Sequence, residues 1–361
     1  MKFDRCWKQS AMCLAVLTML LAGPGRSFGM TGDGATIIPL SSTQSGSSAQ
    51  SGGSTQSGGS TQSPASDQTA AQSASVFGAV QTEVIDSSTL FGPGRLTMLA
   101  NHDTKAQLLS VIIETGQGGL IVVDGGWREN SEYLLSQLKA KGGHVQAWLL
   151  THPDTDHVGA LAEILYQHSG EITIDGVYYS FLEDSWYQQK DANVADMVSY
   201  LKGALTRLPA EALHGDITAG QIIEAGPAKI QVLNQAYQMK NDFVNNSSVA
   251  YLVSLNGTNV VFLGDLAKSG GEQLLADVDL RSLGCDIVQM SHHGQNGVGY
   301  EVYKALRPKI CLWPTPQWLW DNDNGGGAGS GYWKTMETRN WMVRLGIEAY
   351  YCIKDGDQVI E

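Results

Sequence analysis

Chemistry is concentrated in Thr151–Gly159, Thr-His-Pro-Asp-Thr-Asp-His-Val-Gly, where His152, Asp154, Asp156 and His157 fall within six residues. Imidazole nitrogens and carboxylate oxygens are the ligand set for zinc, manganese and iron. A lone His or Asp at a strand end is more often a cap or a hydrogen-bonded turn. Asp154, for instance, stands where it could cap a following helix. Three more clusters weigh against that reading: Asp124-Gly125, Gly264-Asp265 and His292-His293. Each lies at the end of an apolar run, and strand ends along one sheet edge can converge although distant in sequence.

The elements that must position these groups can be read from periodicity. Leu96–Asn101, Gln107–Glu114 and Gly119–Val123 read as strands, as does Ala79–Ile85 before them. Asn130–Lys141 has helical spacing and stops at Gly142-Gly143. His144–Leu150 is the strand that delivers His152, and Val158–Gln167 is the helix that leaves. Ile172–Ser180 is a strand and Ala192–Leu208 a helix. Gly220–Ile223 and Lys229–Leu233 are strands. Ser248–Leu255 and Asn259–Leu263 flank Asn256-Gly257, the strongest hairpin turn in the chain. Gly271–Leu283 reads as a helix, Ile287–Met290 as the strand leading to His292, and Val302–Leu306 as helical. Lys309–Trp313, Tyr332–Leu345, Ile347–Ile353 and Gln358–Ile360 follow as strand, helix and two closing strands. Hairpins alternating with βα units give an α/β chain, two mixed sheets with helices outside.

The pattern His-Pro-Asp-Thr-Asp-His-Val-Gly resembles the His-x-His-x-Asp-His signature of the metallo-β-lactamase superfamily, in its His-x-Asp-x-Asp-His variant. Leu263-Gly264-Asp265 is similar to that superfamily's later Gly-Asp. Asn245-Asn246-Ser247-Ser248-Val249 and Ser291-His292-His293-Gly294 are similar to the extracellular domain of ComEC-like DNA-uptake proteins. The order and spacing match from Leu96 to about Ala305. The resemblance implies an αββα sandwich with the site at one edge, and two divalent ions, zinc or manganese, held by His152, Asp154, Asp156, His157, Asp265 and His292. It implies that Asp156, His157 and His292 hold one ion, that His152 and Asp154 hold the other, and that Asp265 bridges. Asp156 would orient the nucleophile, and His293 would donate a hydrogen bond or proton beside it.

Two departures from the family matter. Asp154 replaces an imidazole of the zinc β-lactamases, which makes the site harder and shifts expectation toward manganese without excluding zinc. A third imidazole usual between the first and last clusters is offered here only by His168, at a helix end, or His214, in a turn before a strand. Asn246 lies nearer the expected place, as an amide ligand or substrate contact.

Two ions would acidify a shared water and neutralise charge on a reacting group. The leading expectation is a phosphodiesterase or nuclease-like hydrolase. Another ester or a cell-wall polymer, such as a teichoic-acid or phosphocholine ester, is the alternative. A non-catalytic metal-binding surface module is a third class, and a β-lactamase is disfavoured by Asp154. Gln295 stands where the family usually has Ser. Residues 314–334 diverge, with Trp318, Trp320, Trp333 and Gly325-Gly326-Gly327. Trp318 and Trp320 are candidate platforms for a base, a sugar or a choline cation; equally, these side chains pack on the domain surface.

Composition bounds the setting. The formal net charge is −13, which disfavours nonspecific nucleic-acid binding through phosphate contacts. Residues 1–29 carry Lys2, Arg5 and Lys8 before an apolar run, Ala11 to Gly23, and then small residues. That is a secretory signal pattern, or an uncleaved anchor. Its removal takes away four basic and one acidic side chain and leaves −16. Residues 30–75 are a linker dominated by Ser, Gly, Thr and Gln, with Ser-Gly-Gly-Ser-Thr-Gln repeated at 51–56 and 57–62. Such a composition cannot offset the entropy of ordering and reads as a flexible tether to a membrane or wall. The hydrolase domain is expected over 76–361, on a secreted or surface-bound bacterial protein. Cys285, Cys311 and Cys352 read as buried free thiols.

Overall fold

The computed structural model describes residues 90–361. The signal, the linker, the start of the domain near Val76 and the strand Ala79–Ile85 lie outside the described residues. In chain order the structure has β1 (Arg95–Met98), β2 (Ser110–Glu114), β3 (Leu120–Asp124), α1 (Ser131–Ala140), β4 (His144–Leu149), α2 (Thr155–Gln167), β5 (Thr173–Ile174) and β6 (Val177–Tyr178). There follow α3 (Asp184–Lys190), α4 (Ala192–Leu205), β7 (Leu213–His214), β8 (Ile222–Ala225), β9 (Ala228–Val232), β10 (Tyr251–Leu255) and β11 (Thr258–Phe262). The chain closes with α5 (Lys268–Asp277), β12 (Ile287–Gln289), α6 (Tyr300–Leu306), β13 (Ile310–Trp313), α7 (Gln317–Trp320), α8 (Thr335–Leu345), β14 (Ala349–Cys352) and β15 (Gln358–Ile360).

The first sheet has the order β15-β1-β2-β3-β4-β6-β7, with β5 beside β4; the second has β14-β13-β12-β11-β10-β9-β8. Both are mixed. β1, β2 and β3 pair antiparallel, whereas β3 and β4 are parallel. β10 and β11 form the antiparallel hairpin, and β11, β12, β13 and β14 are parallel. Asn256 at φ 52° and Gly257 at φ 91° make the tight turn that the Asn-Gly pair foretold.

Alternation along the strands sorts the apolar side chains into three layers. Val111, Ile113, Ile121 and Val123 of the first sheet meet Tyr251, Val253, Val260, Phe262 and Leu312 of the second. On the other face of the first sheet, Ile112, Val122 and Trp148 pack under Leu134, Leu138, Leu161, Leu165 and Leu201 from α1, α2 and α4. On the outer face of the second, Val261, Val288 and Cys311 pack under Leu274, Val302, Tyr303 and Met342 from α5, α6 and α8. The result is helix, sheet, sheet, helix: an αββα sandwich of two mixed sheets. Each fully buried Leu, Ile, Val or Phe contributes about 1.5–3 kcal/mol. A one-residue slip of any inner strand would trade inner for outer positions, so the register that sets each strand end is fixed by burial.

Several elements differ from the sequence expectation. Residues 172–180 hold two short strands, both parallel to β4 and in one register with it, Val145 opposite Ile174 and Trp148 opposite Val177, with Asp175-Gly176 between them. The helix expected over 271–283 runs Lys268–Asp277 and stops at Val278, which is extended (φ −129°, ψ 131°). A separate short turn then follows, begun by the Asp279 carboxylate accepting from the Arg281 N–H. α3 was not foreseen. It is only seven residues long, and its Trp186 and Tyr187 are buried with Val194, Val198 and Val244. Cys285, Cys311 and Cys352 are free and buried.

Candidate metal centre

The first ligand cluster is delivered by β4 and the start of α2. Trp148 and Leu149 are locked in the sheet, so the chain leaves β4 at Leu150 in a fixed direction. α2 begins at Thr155, three residues earlier than the apolar spacing suggested. Asp154 is its N-cap residue, with extended φ/ψ and no side-chain capping bond, while its carbonyl accepts the His157 and Val158 N–H groups. The Asp154 carboxylate is thereby left for other work. It stands 3.3 Å from His152 Nε2 and remains 28% exposed. Asp156 and His157 sit on the first turn of α2, both buried.

Gly264-Asp265 arrives from the end of β11 and meets the first cluster across the sandwich. Gly264 has φ 55°, and a side chain there would meet Thr151 Cβ at 2.8 Å and Ser248 Oγ at 2.9 Å. Only glycine lets the two sheet ends approach this closely. The Ser248 hydroxyl accepts the Asp265 N–H at 3.0 Å, and Thr151 O accepts the Val249 N–H at 2.8 Å. Buried Gln289 clamps the same turn, accepting from Leu263 N–H and donating to Gly264 O.

His292 and His293 follow β12, both at positive φ, 52° and 53°. Two successive non-glycine residues in that region cost about 1–3 kcal/mol each and persist only where the surroundings impose them. Here Gly264 O accepts the His292 N–H, and the Thr315 hydroxyl donates to His293 O. The His293 Nδ1–H donates to Pro314 O at 3.1 Å, turning Nε2 inward. That nitrogen lies 3.2 Å from Asp156 Oδ2 and 3.3 Å from Asp265 Oδ2. His292 Nε2 is 3.9 Å from Asp265 Oδ2, and its side chain is 18% exposed. The imidazole beside Asp156 and His157 is therefore that of His293, where the sequence reading had put His292. Adjacent residues cannot be ranked from sequence, because the twist that turns one of them inward lies in the backbone.

The donor set fits a cation. His152 Nε2, His157 Nε2, Asp265 Oδ1, His292 Nδ1 and His293 Nε2 are buried without hydrogen-bond partners, an expensive state unless something pairs with them. Ligand atoms of His152, His157 and Asp265 lie within 4.8 Å of one another, as do those of Asp156, His157 and His293. Burial opposes charge on Asp156 and Asp265, but the neighbouring imidazoles outweigh it. Asp156 is held below the usual carboxylate range by His157 and His293. Asp265 is held well below it by His293 and His157. Burial likewise opposes charge on His293, and Asp265 and Asp156 still raise it to about 9. His157 is raised well above its usual value, against its burial, by Asp265, Asp124 and Asp156. His292 is lowered by burial, with Asp265 working the other way. Carboxylates outweigh burial at the centre, so the site favours positive charge there, whether carried by protons or by a cation.

Asp124, seen in the sequence only as a strand-end Asp-Gly, has a definite place. It is fully buried at φ 55°. Its carboxylate accepts from the Thr151 N–H at 2.8 Å, the Thr151 hydroxyl at 2.7 Å and His157 Nδ1–H at 2.7 Å. This fixes the His157 tautomer with its Nε2 lone pair facing Asp265, 3.3 Å away.

Other expected groups lie elsewhere. Asn246 spends its amide on structure: its oxygen accepts the Ala267 and Gly270 N–H groups, and its nitrogen donates to Asn241 O and Ser269 Oγ. It ties down the start of α5 and has no capacity left for a ligand. His168 sits at the C-cap of α2 between Glu132 and Glu171. His214 lies within β7 and not in a turn, stacked on Tyr178 with centroids 4.4 Å apart. Neither supplies a third imidazole. Trp320 is buried against Trp313 and Tyr350, beneath the Arg339 guanidinium. Trp318 is half-buried and lines a cavity of about 380 Å³.

The metallo-beta-lactamase superfamily model matches residues 104–228. ComE operon protein 3 of Bacillus subtilis (strain 168) is 29% identical over 214 residues, 56% of this chain and 25% of that protein. The chain thus spans about a quarter of the length of the curated relative it matches. Among solved structures it is similar to the metallo-beta-lactamase fold protein YhfI from Bacillus subtilis, at 13% identity over 74% of this chain and 100% of that chain, with a TM-score of 0.46. It is also similar to a diphosphatase from the PhnP family, at 13% identity over 61% of this chain and 85% of that one, with a TM-score of 0.37. The chain is thus similar, over residues 104–228, to the metallo-beta-lactamase superfamily.

Proposed function

We propose that the protein is a phosphodiesterase that uses two divalent cations. The observation that carries this reading is the convergence of unpaired buried imidazole and carboxylate atoms from three chain segments on one point. His152 and Asp154 would hold one ion; Asp156, His157 and His293 the other; Asp265 lies between them. His292, further out and partly exposed, would donate a hydrogen bond or proton at the mouth of the site, so the two neighbouring histidines exchange the roles expected from sequence. Asp154 brings a second carboxylate to the first position, which favours manganese over zinc. When bound, the pair supplies an acidified water and charge neutralisation on the reacting phosphoryl group. Asp156 orients that water, and Asp124 and Pro314 keep His157 and His293 in the tautomers that present Nε2.

We also propose export. It is supported by the basic-then-apolar pattern of residues 1–29 and the tether-like 30–75. Among the described residues no helix is long and apolar enough to cross a membrane. Fractionation of producing cells should place the chain outside the cytoplasm.

The enzymatic reading is tested with the full chain on bis-p-nitrophenyl phosphate, a carboxylic ester and a lactam, each with manganese or zinc. Turnover of the phosphodiester above the others, lost in Asp156→Ala, supports it. Bound metal without turnover of any of the three would assign a binding module instead.

A further inference from the structure

The cavity beside Trp318 is built from the two loops that anchor the metal cluster. One wall is the loop 101–106; three residues on, the Leu109 N–H donates to Asp156 O at 3.2 Å. The other wall starts at Pro316, directly after Pro314 and Thr315, which hold His293. The indole N–H of Trp318 donates to Lys105 O at 2.7 Å and staples the walls together. The first wall is also fixed by Asn130, whose amide donates to Asn101 Oδ1 and Asp103 Oδ2. A space attached in this way to both sides of a reactive centre is preorganised for the part of a substrate that does not react.

Its chemistry narrows the occupant. With its N–H engaged, Trp318 can offer the cavity its ring face. Trp333 meets the same indole in a T-shaped contact, with ring centroids 4.9 Å apart and planes at 63°. Asn101, Thr104, Gln317, Asp321 and Asp323 also line the space. The lining lysines and aspartates balance: Lys105 and Lys354 against Asp321 and Asp323, and Lys354 is further engaged by Asp355 at 2.7 Å. A polyanion finds no net positive field here. An aromatic face flanked by carboxylate, amide and hydroxyl groups matches a neutral ring that carries many hydroxyls: apolar C–H faces on the indole, O–H groups on the rim. A volume of about 380 Å³ is of the size of a small-ligand site.

We propose that this cavity binds a pyranosyl unit of the substrate, one that carries no nucleobase, so that the phosphodiester cleaved is one esterified to such a sugar. The proposal rests on the phosphodiesterase reading for its reaction, but the binding itself does not require turnover. Two measurements separate them. Quenching of tryptophan fluorescence in the full chain, without added metal, is followed with glucose 6-phosphate, glycerol 3-phosphate and uridine 5′-phosphate. Saturable quenching by the sugar phosphate, at least tenfold tighter than by the acyclic one, is expected, with Trp318→Ala losing it and Trp318→Phe keeping most of it. Equal binding of the acyclic phosphate, preference for the nucleotide, or an undiminished response in folded Trp318→Ala overturns the proposal. With manganese added, the kcat/KM ratio of the p-nitrophenyl diester of glucose 6-phosphate to methyl p-nitrophenyl phosphate should fall at least tenfold in Trp318→Ala. An unchanged ratio also overturns it. Loss of the phosphodiesterase reading alone would appear as no turnover of either ester while selective quenching persists, which upholds the sugar site.

Discussion

Replacing Asp124 by Asn is a sharp test of how the centre is organised. Asp124 touches no proposed ion, yet its carboxylate receives three hydrogen bonds, two from Thr151 and one from His157. An amide of the same shape keeps one acceptor oxygen and turns a donor toward the remaining partners. Asn also tolerates the left-handed backbone at φ 55°. The fold should therefore survive, while His157 loses the partner that fixes its tautomer. Loss of such an outer partner costs about 10–100-fold in metal affinity, or roughly 1.4–2.7 kcal/mol. Asp124→Ala is harsher: it leaves buried Thr151 and His157 donors unpaired at about 1–3 kcal/mol each and adds the backbone cost. The assay is chelator competition for manganese and zinc, with near-UV circular dichroism and urea unfolding as controls. The expected result for Asp124→Asn is a near-native unfolding midpoint with affinity reduced at least tenfold and activity partly recovered at high metal. Folded protein with unchanged affinity would refute the tautomer argument.

Other expectations follow from the same geometry. Gly264→Ala forces a methyl onto Thr151 and Ser248 and should cost about 1–3 kcal/mol of stability, read from urea unfolding, together with a loss of bound metal. A stable, fully loaded variant would contradict the close approach of the two sheets. Asn246→Ala should destabilise by about 2–4 kcal/mol through the start of α5, yet leave metal content of the folded chain unchanged; a lower content would restore Asn246 as a ligand. His168 is raised above 6.5, first by its hydrogen bond to Glu171 and, against desolvation, by Glu132. Its contribution is full below the unfolded value and fades as pH rises through the folded one. The stability difference between the parent and His168→Gln should then be larger at pH 6 than at pH 9, and small at high salt because the pair is exposed. An equal difference at both pH values would show that the bridge adds nothing.

Much of this was legible in the sequence because it rests on periodicity. The β-branched runs of β2 and β3 announced strands, and Asn256-Gly257 announced the hairpin of β10 and β11. The cluster from His152 to His157 was visible because its members are local. What escaped depends on contacts that close only in space. Asp124 reads as a turn residue until His157, 33 positions later, returns to it. Asn246 reads as a ligand because its amide could be one, and only the N–H groups of Ala267 and Gly270 show that its oxygen is occupied. Trp320 and Trp318 look alike in a divergent loop; the first was drawn under Arg339 and against Trp313, the second was left facing a cavity. The start of α2 was placed late because Asp154, Thr155 and Asp156 carry no apolar signal, although their backbone already begins the helical turn.

The most direct test of the account is the number of divalent ions retained per chain after loading with manganese or zinc and desalting, measured by elemental analysis on the parent, His293→Ala and His292→Ala. Two ions are expected in the parent, one or fewer in His293→Ala, and two in His292→Ala. No bound metal in the parent, or full occupancy in His293→Ala with loss in His292→Ala, would contradict it.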